Sequence, residues 1–203
     1  MHAGLASWIR RRSTGTDRSL FGIAGPPGSG KSTLAEQLGN DLGAPVVPMD
    51  GFHLPNSVLR DRGQLDVKGA PETFAALDFV ALVSGLRDPT RVAWCPAFDR
   101  STDEPIADRI RIAPDDVVIV VEGNYLLLDR PPWSSLSALF DAIAYLDVPP
   151  DVRFRRLVDR HVRFGRSRAD SEAFVRRSDT TNAALVEASR QRADLVIPYG
   201  AHA

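Results

Sequence analysis

The sequence contains very little cysteine and very little lysine. Cys95 is the single cysteine among 203 residues, so no disulfide can form within the chain, which excludes a small disulfide-stapled extracellular domain. Of the 25 lysine and arginine residues, only Lys31 and Lys68 are lysines. A lysine is a compact point charge and an arginine a planar fork, so the two are not equivalent at a crowded anion site. Both lysines are therefore candidates for a functional role.

Long apolar runs and a surplus of charge are also absent. No apolar run reaches the roughly 18 residues that a transmembrane helix needs. The basic residues 10–12 follow a short mixed segment, whereas those of a signal peptide precede an apolar one. The formal net charge of −1 provides no general attraction to nucleic acid or to anionic lipid. We therefore expect a cytoplasmic protein that binds neither nucleic acid nor membrane.

Hydrophobic periodicity predicts strands that alternate with helices in one domain, 1–203. Strands are predicted at 20–24, 45–49, 91–97, 117–121, 142–147 and 195–197. Helices are predicted at 5–12, 32–42, 56–62, 73–86, 136–140, 150–164 and 171–190, and polar loops at 51–70 and 99–107. This alternation favours an α/β fold in which a mainly parallel central sheet is covered on both faces, and ligands bind outside the carboxyl ends of such strands.

The clearest motif directly follows the first predicted strand. Residues 25–32 read GPPGSGKS and match the full P-loop pattern G-x-x-x-x-G-K-[ST]. Such a loop points backbone N–H groups at phosphate oxygens, and the helix that follows adds its partial positive charge. We expect Lys31 to reach the β- and γ-phosphates of ATP and the Ser32 hydroxyl to bind Mg²⁺. The predicted nucleotide-binding residues are Gly25, Pro26, Pro27, Gly28, Ser29, Gly30, Lys31, Ser32 and Thr33.

Two acidic residues follow predicted strands. Glu122 comes directly after 117–121, the usual place of an acidic residue that helps to hold Mg²⁺. Asp50 follows the strand at 45–49 and precedes the polar loop at 51–70. If these strands are parallel, both carboxylates emerge beside Lys31. A kinase that acts on an alcohol must remove the hydroxyl proton. We predict that Asp50 is this base and that Glu122 binds the metal; Glu122 is the second candidate for the base.

Seven arginines lie between positions 153 and 168. Several must belong to a solvated helix face, but Arg156, Arg160 and Arg163 share one face by their spacing. Residues 164–167 interrupt the helical pattern, which predicts a turn or a mobile lid over about 156–170. Cations on a closing segment can stabilise the charge of a transferring phosphoryl group. We predict that at least one of Arg156, Arg160, Arg163 and Arg166 does so. Spacing leaves open which one, and Arg160 and Arg166 are the candidates for the catalytic role.

Other P-loop classes fit the sequence less well. A GTPase switch needs Asn-Lys-x-Asp for guanine recognition, and neither lysine has that context. A motor or transporter ATPase needs a longer chain and a signature segment such as Ser-Gly-Gly, which is absent. Two alternatives stay open: a nucleoside monophosphate kinase, which an arginine-rich lid also suits, and a regulator that binds ATP without catalysis.

The motifs together resemble those of the superfamily of uridine kinase, phosphoribulokinase and bacterial type I pantothenate kinase, in particular a branch of nucleoside/nucleotide kinase-like or fructose-transport-type kinases. The matching residues are spread over nearly the whole chain, at 25–33 (GPPGSGKST), 49–56 (MDGFHLPN), 68–74 (KGAPETF), 96–100 (PAFDR), 121–127 (VEGNYLL) and 192–196 (RADLV). The resemblance implies a P-loop NTPase fold, a three-layer sandwich with a helical lid at 160–168.

The same resemblance implies site residues. Asp50 is then the general base, and His53, Lys68 and Arg100 border the acceptor pocket. The expected activity is transfer of the ATP γ-phosphate to a hydroxyl of a small metabolite, such as a sugar, a nucleoside or a pantothenate-like acceptor, with Mg²⁺ as cofactor. Pantothenate kinase is longer than this chain, so the acceptor stays open. The oligomeric state is also open, and a homodimer is one candidate because related folds often pair.

Overall fold

The computed structural model describes residues 2–13 and 17–200. The strands are β1 (Ser19–Ala24), β2 (Val46–Pro48), β3 (Ala93–Asp99), β4 (Glu104–Ile112), β5 (Val118–Gly123), β6 (Ala142–Asp147) and β7 (Leu195–Pro198). The helices are α1 (His2–Arg12), α2 (Lys31–Leu42), α3 (Asn56–Asp61), α4 (Ala76–Gly85), α5 (Pro150–Arg163), α6 (Arg168–Phe174) and α7 (Thr180–Ala188). Within the described ranges, no helix is long and apolar enough to cross a membrane.

Five strands form one parallel sheet in the order β2-β5-β1-β6-β7. The central strands β1 and β5 are almost continuously apolar because both faces of the sheet are covered. Glu122 in β5 lies opposite Ile23 in β1 and Pro48 in β2. The carboxyl ends of these three strands therefore meet at one edge, where the P-loop begins.

Two apolar clusters, one on each face of the sheet, make the sandwich three-layered. One cluster packs α1 and α2 against the sheet through side chains such as Ile9 and Leu38. The other holds α4, the 3-10 helix Trp133–Leu139 and α7, with Phe79 and Trp133 fully buried. Burying one such side chain contributes about 1.5–3 kcal/mol, and these packed layers hold the sheet edge rigid. The α/β fold and the mainly parallel sheet are confirmed.

The prediction of a loop at 99–107 was wrong. Strand β4 begins at Glu104 and pairs antiparallel with β3, which forms a separate two-stranded sheet. Its isoleucines at 106, 110 and 112 have the even spacing of a strand, but charged residues separate them and most of the strand is exposed. Asp108 adopts a φ of +52°. The exposed, charged character of the hairpin concealed its strand pattern.

The predicted single helix at 171–190 is divided in the structure. The helical path runs through α6, a π-helical segment Val175–Asp179 and α7. A π-helical segment inserts an extra residue into a turn and is frequent at functional sites. The helix predicted at 73–86 begins later, at Ala76, because a 3-10 turn occupies Pro71–Thr73.

Candidate active site

The P-loop contains glycines at positions where any other residue would be strained. Gly28 has a φ of +77°, and a Cβ there would lie 2.9 Å from both the Arg153 carbonyl oxygen and the Leu157 side chain. Gly30 has a φ of +92° and caps α2 without any side-chain hydrogen bond to the helix. The first N–H groups of α2 therefore have no side-chain acceptor and can bind an anion together with the helix dipole.

Lys31 opens α2 and is buried beside two carboxylates. Only 8% of the residue is exposed. Burial lowers the pKa of Lys31, and the nearby charges of Glu122 and Asp50 oppose this shift. The side chain lines the cavity in front of the P-loop. A desolvated ammonium group in that position gains strongly from a phosphate, which would bring negative charge close to it.

Ser32 and Glu122 form an oxygen pair beside the lysine. The Ser32 hydroxyl donates a hydrogen bond to Glu122 Oε1 at 2.9 Å. Burial raises the pKa of Glu122, as does the negative charge of Asp50, whereas Lys31 opposes the shift. Mg²⁺ prefers oxygen ligands and is usually held by one or two carboxylates together with substrate phosphates. A hydroxyl and a carboxylate beside a phosphate-binding loop fit that requirement.

Asp50 lies in the 3-10 helix Met49–Phe52, directly after β2. Arg100 Nη2 donates to Asp50 Oδ2 at 2.8 Å. Burial alone would raise the pKa of Asp50, but the positive charges of protonated His53, of Arg100 and of Lys31 outweigh it and hold the pKa below its usual value. Burial lowers the pKa of His53, so Arg100 and Lys31 supply this charge at neutral pH. Asp50 is therefore ionised at neutral pH and able to accept a proton.

The hairpin holds this carboxylate in position. A Cβ at Gly51 would lie 2.5 Å from the carbonyl oxygen of Pro96, so only glycine lets the 3-10 helix approach β3 so closely. Arg100 follows β3 directly and reaches back to Asp50. The β3–β4 hairpin thus supplies both the support behind Asp50 and its charged partner.

His53 and Lys68 border the same cavity, as expected, but both are already engaged. The His53 ring lies between Phe74 and Phe98, with centroid distances of 4.0 and 4.9 Å, and its Nδ1 is 2.8 Å from the carbonyl oxygen of Asp50. Lys68 Nζ donates to Asn56 Oδ1 at 2.6 Å and forms an ion pair with Asp103 at 3.1 Å. Lys68 is thus an anchor of the cavity wall.

The arginines of 153–168 have different environments. Arg153 is buried, donates to the Val148 carbonyl and pairs with Glu187. Arg156 and Arg160 line the cavity, whereas Arg163 does not. Helical spacing predicted that these three arginines share one face of α5. Two of the three line the cavity.

Arg160 and Arg166 approach the cavity from different sides of the turn after α5. Burial and the neighbouring charge of Arg100 lower the pKa of Arg160, while Asp179 and Asp50 oppose the shift. The Arg160 guanidinium forms no hydrogen bond or ion pair with another described residue. Arg166 also lines the cavity and stacks on Phe174, with its Cζ 4.3 Å from the ring centroid. Arg156 Nη1 donates to the Ser29 carbonyl at 3.0 Å.

The sequence analysis missed three further polar residues of this cavity, Asn124, Asp179 and Asn182. Asn124 directly follows β5, so the strand-end rule that singled out Glu122 could also have found it. Asp179 ends the π-helical segment, and Asn182 lies on α7. Only the tertiary fold brings Asp179 and Asn182 to the cavity that Asp50 lines, so no local signal could have revealed these two.

Lys31, Ser32, Asp50 and Arg160 line one cavity of about 710 Å³, and Glu122 is joined to this lining through its hydrogen bond with Ser32. A glycine-rich loop, a hydroxyl paired with a buried carboxylate and an ionised carboxylate meet at the carboxyl edge of a parallel sheet. This fold and site define a P-loop kinase that acts on small molecules.

Comparison with known proteins identifies the family. The model of the phosphoribulokinase / uridine kinase family matches residues 20–203, and the chain belongs to that family. The resemblance described from the sequence motifs is thereby confirmed. "Putative uridine kinase C227.14" of Schizosaccharomyces pombe is 36% identical over 198 residues, which cover 89% of this chain and 83% of that protein.

Two further relatives match different shares of this chain. The crystal structure of a "putative fructose transport system kinase" from Silicibacter sp. TM1040 has a TM-score of 0.90 and 40% identity, and it covers 98% of this chain and 99% of its own. The pantothenate kinase of Xanthobacter autotrophicus is 30% identical over 157 residues, 71% of this chain but 49% of that enzyme. The chain thus matches about half of that longer kinase.

Proposed function

We propose that this protein transfers the γ-phosphate of ATP to a hydroxyl group of a small metabolite such as a sugar, a nucleoside or a pantothenate-like compound. The observation that carries the proposal is the ionised Asp50 carboxylate in the cavity that also contains Lys31 and Ser32. A loop that only binds nucleotide needs no such base. Its presence favours a kinase over a regulator that binds ATP without catalysis.

The nucleotide end of the cavity is formed by residues 25–33. The N–H groups of the loop and of the first turn of α2 would bind the phosphates, and Lys31 would neutralise charge on the β- and γ-phosphates. Ser32 and Glu122 would hold Mg²⁺, which supplies further positive charge to the phosphates. Arg156 holds the loop through its hydrogen bond to the Ser29 carbonyl.

The acceptor end of the cavity contains Asp50, with His53, Lys68 and Arg100 in its wall. In the proposed step the acceptor hydroxyl oxygen forms a bond to the γ-phosphorus while the bond from that phosphorus to the bridging oxygen of ADP breaks. The hydroxyl proton passes to Asp50, and ADP leaves with the electron pair of the broken bond. Arg100 keeps the Asp50 carboxylate aligned, because it binds Oδ2 and leaves Oδ1 for the proton.

Residues 156–170 are proposed to close over the reacting phosphate as a lid of this single domain. Arg160 is the strongest candidate for charge stabilisation, because its guanidinium is desolvated and without a partner among the described residues. Arg166 would join it from the far side of the turn. Closure also excludes water, which limits futile hydrolysis of ATP.

Release of ADP from MgATP tests the proposal. The rate is measured with nucleosides, nucleoside monophosphates, pantothenate, nicotinamide riboside, fructose and other sugars. A rate that rises with one acceptor supports the kinase and identifies the acceptor, and a preference for monophosphates selects the nucleoside monophosphate kinase instead. ATP binding with no stimulation by any acceptor would contradict the proposal and favour the regulator.

A further inference from the structure

The outer face of helix α4 is apolar although it is exposed. Asp78 is the single charged residue of this helix. Leu77 is 73% exposed, more than any other large hydrophobic residue in the described part of the chain. Ala81, one turn further along the same face, is exposed as well. Surface helices normally present polar residues to water, and a helix that is apolar on every side is usually buried. The composition of α4 is therefore that of a covered helix.

A groove of about 590 Å³ lies beside Leu77 on the same surface. We call it the α4 groove. Most of its lining is apolar, and it includes Leu54, Pro71, Phe74, Leu77, Pro132 and Trp133. An exposed leucine side chain and an apolar hollow thus lie next to each other. Exposed apolar surface of this kind, surrounded by polar residues, is typical of a protein–protein interface.

The rim of the α4 groove carries two charges of each sign. Its exposed charged residues are Arg62, Glu72, Asp78 and Arg130. Arg130 and Glu72 form an ion pair with each other at 3.6 Å. The side chains of Arg62 and Asp78 form no hydrogen bond or ion pair with another described residue. One positive and one negative charge are therefore available to a partner.

A second copy of this chain complements the surface in shape and in charge. In a two-fold symmetric interface the same patch of both subunits meets, so a protruding residue must find a hollow beside its own position. Leu77 and the α4 groove meet this condition. Arg62 can likewise face the partner's Asp78, and the symmetry repeats the pair. A strongly acidic or basic partner would instead place a like charge against one of the two residues.

We propose that the protein forms a two-fold symmetric homodimer in which Leu77 enters the α4 groove of the partner and Arg62 pairs with the partner's Asp78. An apolar centre with a charged rim is the usual anatomy of an interface. None of the residues that line the groove lines the active-site cavity, so the dimer leaves that cavity accessible. The inference goes beyond the proposed function and is tested without turnover.

The interface lies directly behind the acceptor end of the active site. Phe74 lines the groove, and its ring stacks on that of His53 with a centroid distance of 4.0 Å. The Leu54 N–H donates to the Thr73 carbonyl at 2.9 Å. A dimer would therefore support the wall that contains His53.

Sedimentation velocity of the full chain, over about 0.1–100 µM, tests the dimer. The wild type is expected at twice the chain mass of 22.2 kDa. Leu77→Glu should raise the dimer dissociation constant by at least about 30-fold, as for a residue at the centre of an interface. Val92→Glu is the matched control, because Val92 is 45% exposed and lies outside the groove. Far-UV circular dichroism shows that both variants are folded.

Exchange of the rim charges tests the two-fold geometry. Arg62→Glu and Asp78→Arg should each raise the dissociation constant by about tenfold, because like charges then face each other. An equimolar mixture of the two variants should recover the affinity of the wild type, since opposite charges meet at both pairs of the mixed dimer. A wild type that is monomeric at every concentration would overturn the proposal. A dimer that Leu77→Glu leaves unchanged, or a mixture no tighter than its components, would do the same.

Discussion

Arg100 Nη2 donates a hydrogen bond to Asp50 Oδ2 at 2.8 Å, and this pair joins the end of β3 to the turn after β2. Both partners line the cavity in front of the P-loop. The pair has two consequences, because Arg100 orients the carboxylate and also stabilises its ionised form. Substitution of Asp50 tests the proton transfer, and substitution of Arg100 tests the orientation and the ionisation of the carboxylate.

Replacement of the proposed base should stop transfer without stopping nucleotide binding. Asp50→Asn keeps the size of the side chain but cannot accept the hydroxyl proton, so turnover should fall by about 10²–10⁴. The dissociation constant for MgATP should change little, because the phosphates contact the P-loop. Steady-state rates and titration calorimetry measure the two quantities, with Asp159→Asn as control, since Asp159 is exposed on α5 and pairs with Arg168. Wild-type turnover in Asp50→Asn would refute the role of this carboxylate.

Arg100→Gln should move the acid limb of the pH profile. Removal of the cation raises the pKa of Asp50 towards its ordinary value. The base then becomes protonated at a higher pH than in the wild type, so kcat/KM should begin to fall at a higher pH as the solution is acidified. Arg100→Lys should restore much of the profile but little of the alignment, because lysine lacks the planar fork. An unchanged acid limb in Arg100→Gln would show that Arg100 does not act on the base.

Gly28→Ala should damage the phosphate site. The backbone at Gly28 is left-handed and a Cβ would collide with the Arg153 carbonyl, so the loop must shift and the affinity for ATP should fall by at least about tenfold. Gly85→Ala is the matched control, since a Cβ there meets nothing within 4 Å and the residue ends α4. Fluorescence titration with an ATP analogue gives the affinities. Equal affinity in the two variants would contradict the assigned role of the loop geometry.

The parts of the site that the sequence predicted are those that depend on local structure or on strand order. A P-loop is contiguous, so residues 25–33 could be recognised from the motif alone. Asp50 and Glu122 follow strands, and the carboxyl ends of parallel strands meet at one edge. The expectation that they lie close to Lys31 agrees with the mutual influence of their charges. Their roles in catalysis stay predictions.

The parts that were missed depend on contacts between distant segments. The hairpin that contains Arg100 is exposed and charged, so β4 lacked the apolar pattern that reveals a buried strand. The pairing of Lys68 with Asp103 joins residues 35 positions apart and could not be read from spacing. Asp179 lines the cavity from the end of a π-helical segment, and no sequence rule predicts such a segment.

The arginines of α5 provide the final prediction, because structural and functional roles occur on one helix. Arg153 is buried and holds both the Val148 carbonyl and Glu187, so Arg153→Ala should lower the free energy of unfolding by about 2–4 kcal/mol. Arg160 has no partner among the described residues, and Arg160→Ala should leave stability almost unchanged. Its loss should instead lower kcat by about 10²–10³, as expected for removal of a group that stabilises charge in the transition state.

Arg163→Ala is the matched control on the same helix, because Arg163 is exposed and lies outside the cavity. Urea unfolding and acceptor-dependent ADP release, measured on all three variants, separate the two roles. The assignment requires that stability and turnover respond to different arginines. A large loss of stability in Arg160→Ala, with unchanged kcat in the folded fraction, would show that Arg160 is a structural residue. Lys31 and Arg166 would then have to stabilise the negative charge of the transition state.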